Sequence, residues 1–153
     1  MTDWAVTERL HATIIFVDGD TLDGDIHLQA RAATHDGPET PLEMLNRGEW
    51  FFSMTLPGDQ VVFVSKSQVA RVSCAREPMI PDPERVSVAR LVGLEVVMGD
   101  GARFTGFSTV ELPPTRSRAS DYLNAPEAFF HLETEDTTFY INRALVRLAR
   151  PIN

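Results

Sequence analysis

An ordered set of residues occurs twice along this chain. Leu45-Asn46, Trp50-Phe51-Phe52, Val61-Val62-Phe63-Val64-Ser65-Lys66 and Val69 recur as Leu123-Asn124, Ala128-Phe129-Phe130, Thr138-Phe139-Tyr140-Ile141-Asn142-Arg143 and Val146. The offset is 78 positions through the Phe-Phe pair and 77 beyond it, so one residue is lost in the hairpin between them. Upstream, Asp18-Gly19-Asp20-Thr21-Leu22-Asp23-Gly24 aligns with Asp100-Gly101-Ala102-Arg103-Phe104-Thr105-Gly106. Matches in one order across both halves predict a duplicated unit. The recurring residues are apolar side chains, glycines and turn formers, which specify architecture rather than chemistry.

Each copy reads as strand, strand, short helix, strand, strand, strand. Leu10–Val17 and Thr21–Leu28 flank Asp18-Gly19-Asp20, and an Asp-Gly pair between β-branched runs predicts a hairpin because that turn needs positive φ. Gly24 and Gly106 interrupt the second strand of each copy, where a glycine marks a bend or a close backbone approach. Thr40, Pro41 and Glu43 predict a helix start with a reciprocal cap. Ser65-Lys66-Ser67 reads as one turn of 3₁₀ helix between the last two strands. Pro78, Pro81 and Pro83 stiffen a linker. The predicted organisation is a first β-barrel unit over residues 1–75, a proline-rich linker over 76–85 and a second β-barrel unit over 86–153. Units of this size are marginal alone, so they are expected to pack together as a pseudo-dimer.

The hairpin with its internal glycine, Gly19 to Gly24 and Gly101 to Gly106, resembles the Sm-like family of strongly bent five-stranded barrels. So does the closing strand, turn, strand, Val62 to Val69 and Phe139 to Val146. SH3-like barrels show similar spacing, and the Leu-Asn, short-helix, Phe-Phe pattern is similar to small bacterial barrel proteins of unknown function. The resemblance implies an all-β fold with two short helices, built as two tandem five-stranded Sm-like or SH3-like barrels. Sm-like proteins carry a glycine in the closing turn beside an RNA-contacting basic residue. That glycine is absent here, so the resemblance implies no activity.

Charge narrows the partners. The chain carries a net charge of −8 with a single lysine, Lys66. Residues 1–75 hold 11 acids against 5 bases, and residues 86–153 hold 8 against 7. Nucleic-acid surfaces need clustered Lys and Arg on a basic domain, so the acidic balance argues against such a ligand. The segment Met1 to Arg9 lacks the basic start and apolar run of a signal peptide, and no apolar run is long enough for a membrane span. A cytoplasmic protein without membrane insertion is expected.

Catalytic patterns are missing. Gly106-Phe107-Ser108-Thr109-Val110 lacks the closing glycine of a nucleophile elbow, and no phosphate loop or dinucleotide fingerprint occurs. Asp18, Asp20, Asp23 and Asp25 fail the calcium-loop pattern, because Asp23 stands where it needs glycine and Gln29 where it needs glutamate. His11 and His27 are placed to face each other across the first hairpin, without an evident third ligand. His131 is expected on the solvent side of its strand, and Cys74 reads as a small buried hydrophobe. No catalytic residue, cofactor or metal is expected, and the chain reads as a non-enzyme.

What is left is protein binding, as an adaptor or scaffold. One of each adjacent aromatic pair should fill its barrel and the other should lie between the units or on a partner surface, where aromatics anchor interfaces. Trp50, Phe52 and Phe130 are the candidate aromatic patch, centred on Trp50; Trp4 is either a second anchor or a residue that packs onto the barrel. Val69–Val72 and Val146–Leu148 are candidate free edges for an added strand. The alternative is RNA or nucleotide binding through Arg116, Arg118 and Arg143. The protein partner's identity and any homo-oligomerisation are left open.

Overall fold

In a computed structural model, described over residues 7–32, 37–76, 90–110 and 119–152, ten antiparallel strands form one sheet with two short helices beside it. The predicted linker beyond Arg76, Trp4, His35, Arg116 and Arg118 lie outside the described residues. The strands are β1 (Thr7–Phe16), β2 (Thr21–Gln29), β3 (Phe51–Thr55), β4 (Val61–Ser65), β5 (Val69–Ala75), β6 (Arg90–Met98), β7 (Arg103–Val110), β8 (Phe129–Glu133), β9 (Thr137–Asn142) and β10 (Val146–Ile152). Helix α1 spans Pro41–Asn46 and α2 spans Ala119–Leu123.

Local chemistry explains these elements. Gly19 and Gly101 turn the two long hairpins at φ of 92° and 89°. Helix α1 begins on the predicted capping box: Glu43 N–H donates to Thr40 Oγ1, and Thr40 N–H donates to Glu43 Oε1. The chain turns from β4 to β5 through a 3₁₀ turn, Lys66–Gln68, and from β9 to β10 through another, Arg143–Leu145. A Cβ on Gly24 would stand 2.6 Å from Thr55 O, so the bare backbone is what lets β2 run against β3 there. Gly106 passes equally close to the carbonyl of Glu133.

The strand order is β10-β6-β7-β8-β9-β5-β1-β2-β3-β4. The first five strands are therefore arranged fifth-first-second-third-fourth, and so are the last five. The sheet is not closed. The side of β5 turned away from β1 is taken by β9, with Arg71 opposite Ile141 and Ala75 opposite Thr137. Strands β4 and β10 are left at the two ends of the order. Closed barrels were expected; one continuous open sheet is found.

Two apolar clusters interlock across the β5–β9 seam. Ile14, Ile26, Met44, Met54 and Val72 fill the first, which also takes Phe129 and the edge of Tyr140 from the second half. Leu94, Val96, Phe130, Leu132 and Ile141 fill the second, which takes Ala70 from the first half. Asn46 clamps the seam. Its Oδ1 accepts from Phe129 N–H at 2.8 Å, and its Nδ2 donates to Phe129 O at 3.1 Å. Arg71 reaches Asp100 at 3.5 Å and stacks 4.7 Å above the Phe104 ring. Arg76 donates to Thr134 O and lies 3.5 Å from Glu133.

Candidate docking surface on the outer face of β3 and β4

Alternation along a strand sends neighbouring side chains to opposite faces. In β3, Phe52 and Met54 point into the first core, so Phe51 and Ser53 point out. In β4, Val64 points in, and Val61 and Phe63 point out. The pairing sets Ser53 opposite Phe63 and Thr55 opposite Val61. The outer face is therefore apolar and open: Phe51 is 54% exposed, Phe63 65% and Val61 52%, with Trp50 at 80% just before the strand. Scattered exposed hydrophobes are ordinary, but a contiguous group beside a free edge strand marks an interaction surface.

Several grooves border this face. One, of about 630 Å³, runs between Phe51, Phe63, His27, Gln29, Arg47 and Glu49. Its rim is held by Arg47, whose guanidinium lies 3.0 Å from both Glu39 and Glu49. Its floor holds His27, between Ser53 Oγ at 2.8 Å and Thr55 Oγ1 at 2.7 Å. Burial, reinforced by Arg9, pulls the His27 pKa below its ordinary value against the opposing pull of Asp25. The second groove, about 390 Å³, follows the seam from Trp50 past Lys66 to Phe129 and Ala144.

The other candidate residues are placed differently from expectation. Phe52 and Phe130 are buried at 4% and 1%, each filling its own core, and cannot meet a partner. Phe51 and Phe63 occupy the surface instead. Arg143 is not a free cation either: its guanidinium donates to Tyr122 O, Leu123 O and Glu127 O, each at 2.8 Å. It lies 5.0 Å from the Phe130 ring centroid, a cation–π contact. Strand β5 pairs on both sides, which removes Val69–Val72 as a free edge, whereas β10, with Val146–Leu148, does form one. The other free edge, β4, carries no charged residue that would have flagged it in the sequence.

Neither histidine pair nor aspartate group makes a metal centre. His11 sits opposite Asp25, its Nδ1 3.6 Å from Oδ1, and His27 sits opposite Arg9. The two histidines do not face each other. Among the described residues no three His, Cys, Asp or Glu side chains converge as metal ligands. His131 is half-buried rather than on the open face, and its Nε2 accepts from Thr109 N–H. Among the described residues no helix is long and apolar enough to cross a membrane. No protein-family model matches the chain, and no curated protein or solved structure matches it.

Proposed function

We propose that this chain is a non-catalytic adaptor or scaffold made of two duplicated units of the Sm-like or SH3-like kind, and that it binds protein on the outer face of β3 and β4. The observation that carries this reading is the open apolar face of Trp50, Phe51, Phe63 and Val61 beside an unpaired strand edge. Large aromatic side chains supply most of the affinity when desolvated at a protein interface. A free edge adds main-chain hydrogen bonds to an incoming strand. The identical strand order in the two halves and the paired sequence matches support duplication.

RNA or nucleotide binding is the weaker reading, because Arg143 is engaged by carbonyls of its own chain and the net charge is −8. The test is a tagged pull-down from native lysate at physiological salt, scored for co-purifying protein and for absorbance of nucleic acid. Protein capture lost on Trp50→Ala or Phe63→Glu is the expected result. Nucleic acid retained through washing and lost on Arg116→Glu with Arg118→Glu would overturn the reading.

A further inference from the structure

Both units carry the same groove, and in the second unit the chain itself occupies it. There Met98, Gly99, Asp100 and Leu145 line a small cleft of about 90 Å³, whose other wall is Val17 with Ala70 of β5. Beside Ala70, Arg71 sends its guanidinium to Asp100 Oδ2 at 3.5 Å and stacks 4.7 Å above the Phe104 ring. The other oxygen of Asp100, Oδ1, accepts from Ala102 N–H at 2.9 Å, which fixes the carboxylate in place. Within the molecule, then, this groove accepts a strand that carries a small residue followed by an arginine.

By the sequence correspondence, Met98, Gly99, Asp100 and Leu145 match Phe16, Val17, Asp18 and Gln68. The backbone repeats as well: Val17 N–H donates to Gln68 O, as Gly99 N–H donates to Leu145 O. In the first unit these four residues line an open groove of about 510 Å³. It is larger because Leu22 and Val62 stand in for Phe104 and Phe139, whose rings meet at 4.6 Å. No strand of the chain lies beyond β4 to narrow it. Asp18 is fixed as Asp100 is, its Oδ1 accepting from Asp20 N–H at 3.0 Å. Among the described residues nothing takes the place of Arg71 at Asp18 Oδ2. Asp20, where the second unit has Ala102, brings a further carboxylate to the lining, and no Lys or Arg lies there.

We propose that this groove is a receptor site for an arginine side chain on an extended segment of a different protein, with Asp18 and Asp20 receiving the guanidinium. The inference rests on the protein-docking reading above, whose Phe51 and Phe63 border the same groove, and it names the chemistry of the partner. Arginine suits the site because its aliphatic stem can cover Leu22 and Val62 while its planar fork meets carboxylate oxygens. Charge points the same way, since residues 1–75 hold 11 acids against 5 bases. The chain's own β10 does not supply the ligand, because Leu148 stands where β5 has Arg71.

Fluorescence anisotropy with a labelled peptide of residues 69–75, carrying Cys74→Ser, tests this. The peptide should bind the full chain saturably, and more weakly as salt rises. Arg71→Gln in the peptide should weaken binding by about tenfold to a hundredfold, the loss of one charge-assisted contact. Asp18→Asn in the protein should cause a similar loss with an unchanged circular dichroism spectrum, because asparagine keeps the acceptor for Asp20 N–H. Asp100→Asn, at the carboxylate that Arg71 already meets, should leave peptide affinity as it is. Absence of saturable binding overturns the inference. So does equal affinity for peptides with and without Arg71→Gln, or an affinity that Asp18→Asn leaves unchanged. If lysate protein capture is still lost on Phe63→Glu in that case, only the arginine chemistry is wrong. If Phe63→Glu leaves capture intact, the docking reading falls and the inference with it.

Discussion

Lys66 and Arg143 hold the same position in the two halves, the first residue of the 3₁₀ turn before the last strand, and both turn back onto the end of a short helix. Lys66 Nζ donates to Met44 O and Arg47 O, each at 3.0 Å, behind α1. Arg143 donates to Tyr122 O and Leu123 O behind α2. A helix end leaves carbonyls without intrahelical partners, and a cation there satisfies them and complements the dipole. Neither helix is long enough to persist without such support.

Replacing either cation by Met should therefore destabilise the chain by about 1.5–3 kcal/mol, the range for a hydrogen bond to a charged group. Urea denaturation of Lys66→Met and Arg143→Met checks this, and the two losses should be similar. A change below a few tenths for either would deny it the capping role.

The glycine bends carry a second expectation. Gly24→Ala puts a methyl group 2.6 Å from Thr55 O and 2.9 Å from a flexible Met54 methyl. The carbonyl cannot yield without disturbing the ladder, so a loss of about 1–3 kcal/mol is expected. Gly106→Ala should cost a similar amount against the Glu133 carbonyl. Gly48→Ala, with open space around it, is the control and should change the melting temperature little.

Much of this architecture is legible in the amino-acid order because its causes are local. The capping box at Thr40 and Glu43, the Asp-Gly turns and the Lys66 turn each depend on neighbours a few residues apart. The β5–β9 seam does not. Phe51 and Phe129 sit in equivalent strands after the same offset, yet one is 54% exposed and the other 2%. The difference comes from what lies against each strand in space, which neither periodicity nor residue type encodes. For the same reason Arg143 reads as a free surface cation, although it is folded onto carbonyls 16 to 21 positions away. Choosing Phe52 over Phe51 as the surface residue fails at a smaller scale, because adjacent aromatics leave the face assignment ambiguous by one residue.

Stability should fall in mild acid. His27 and His131 both have pKa values held below the ordinary one, in each case chiefly by burial. As pH drops through about 6.5 the unfolded chain takes up these protons before the folded one does. The stability present above that value is then lost until the lower folded-state pKa values are passed. Calorimetric melting temperatures across this window should decline, and His27→Gln with His131→Gln should flatten the profile. An unchanged slope in the double variant would assign the acid sensitivity elsewhere.

Cys74 should be inert in the native chain. It is 5% exposed, and burial pushes its thiol pKa up to about 12. Thiolate is the reactive form, so labelling by an aromatic disulfide reagent should proceed only as fast as the protein opens. Rapid labelling of the folded chain would contradict the packing of β5 against β9.

The most direct measurement is hydrogen–deuterium exchange of the purified chain, resolved strand by strand. Residues 61–65 and 146–152 belong to the two end strands of the sheet, and their outward-facing amides should exchange quickly. The amides of β5 and β9 that bond across the seam should stay slow. Fast exchange across that seam would contradict a single continuous sheet.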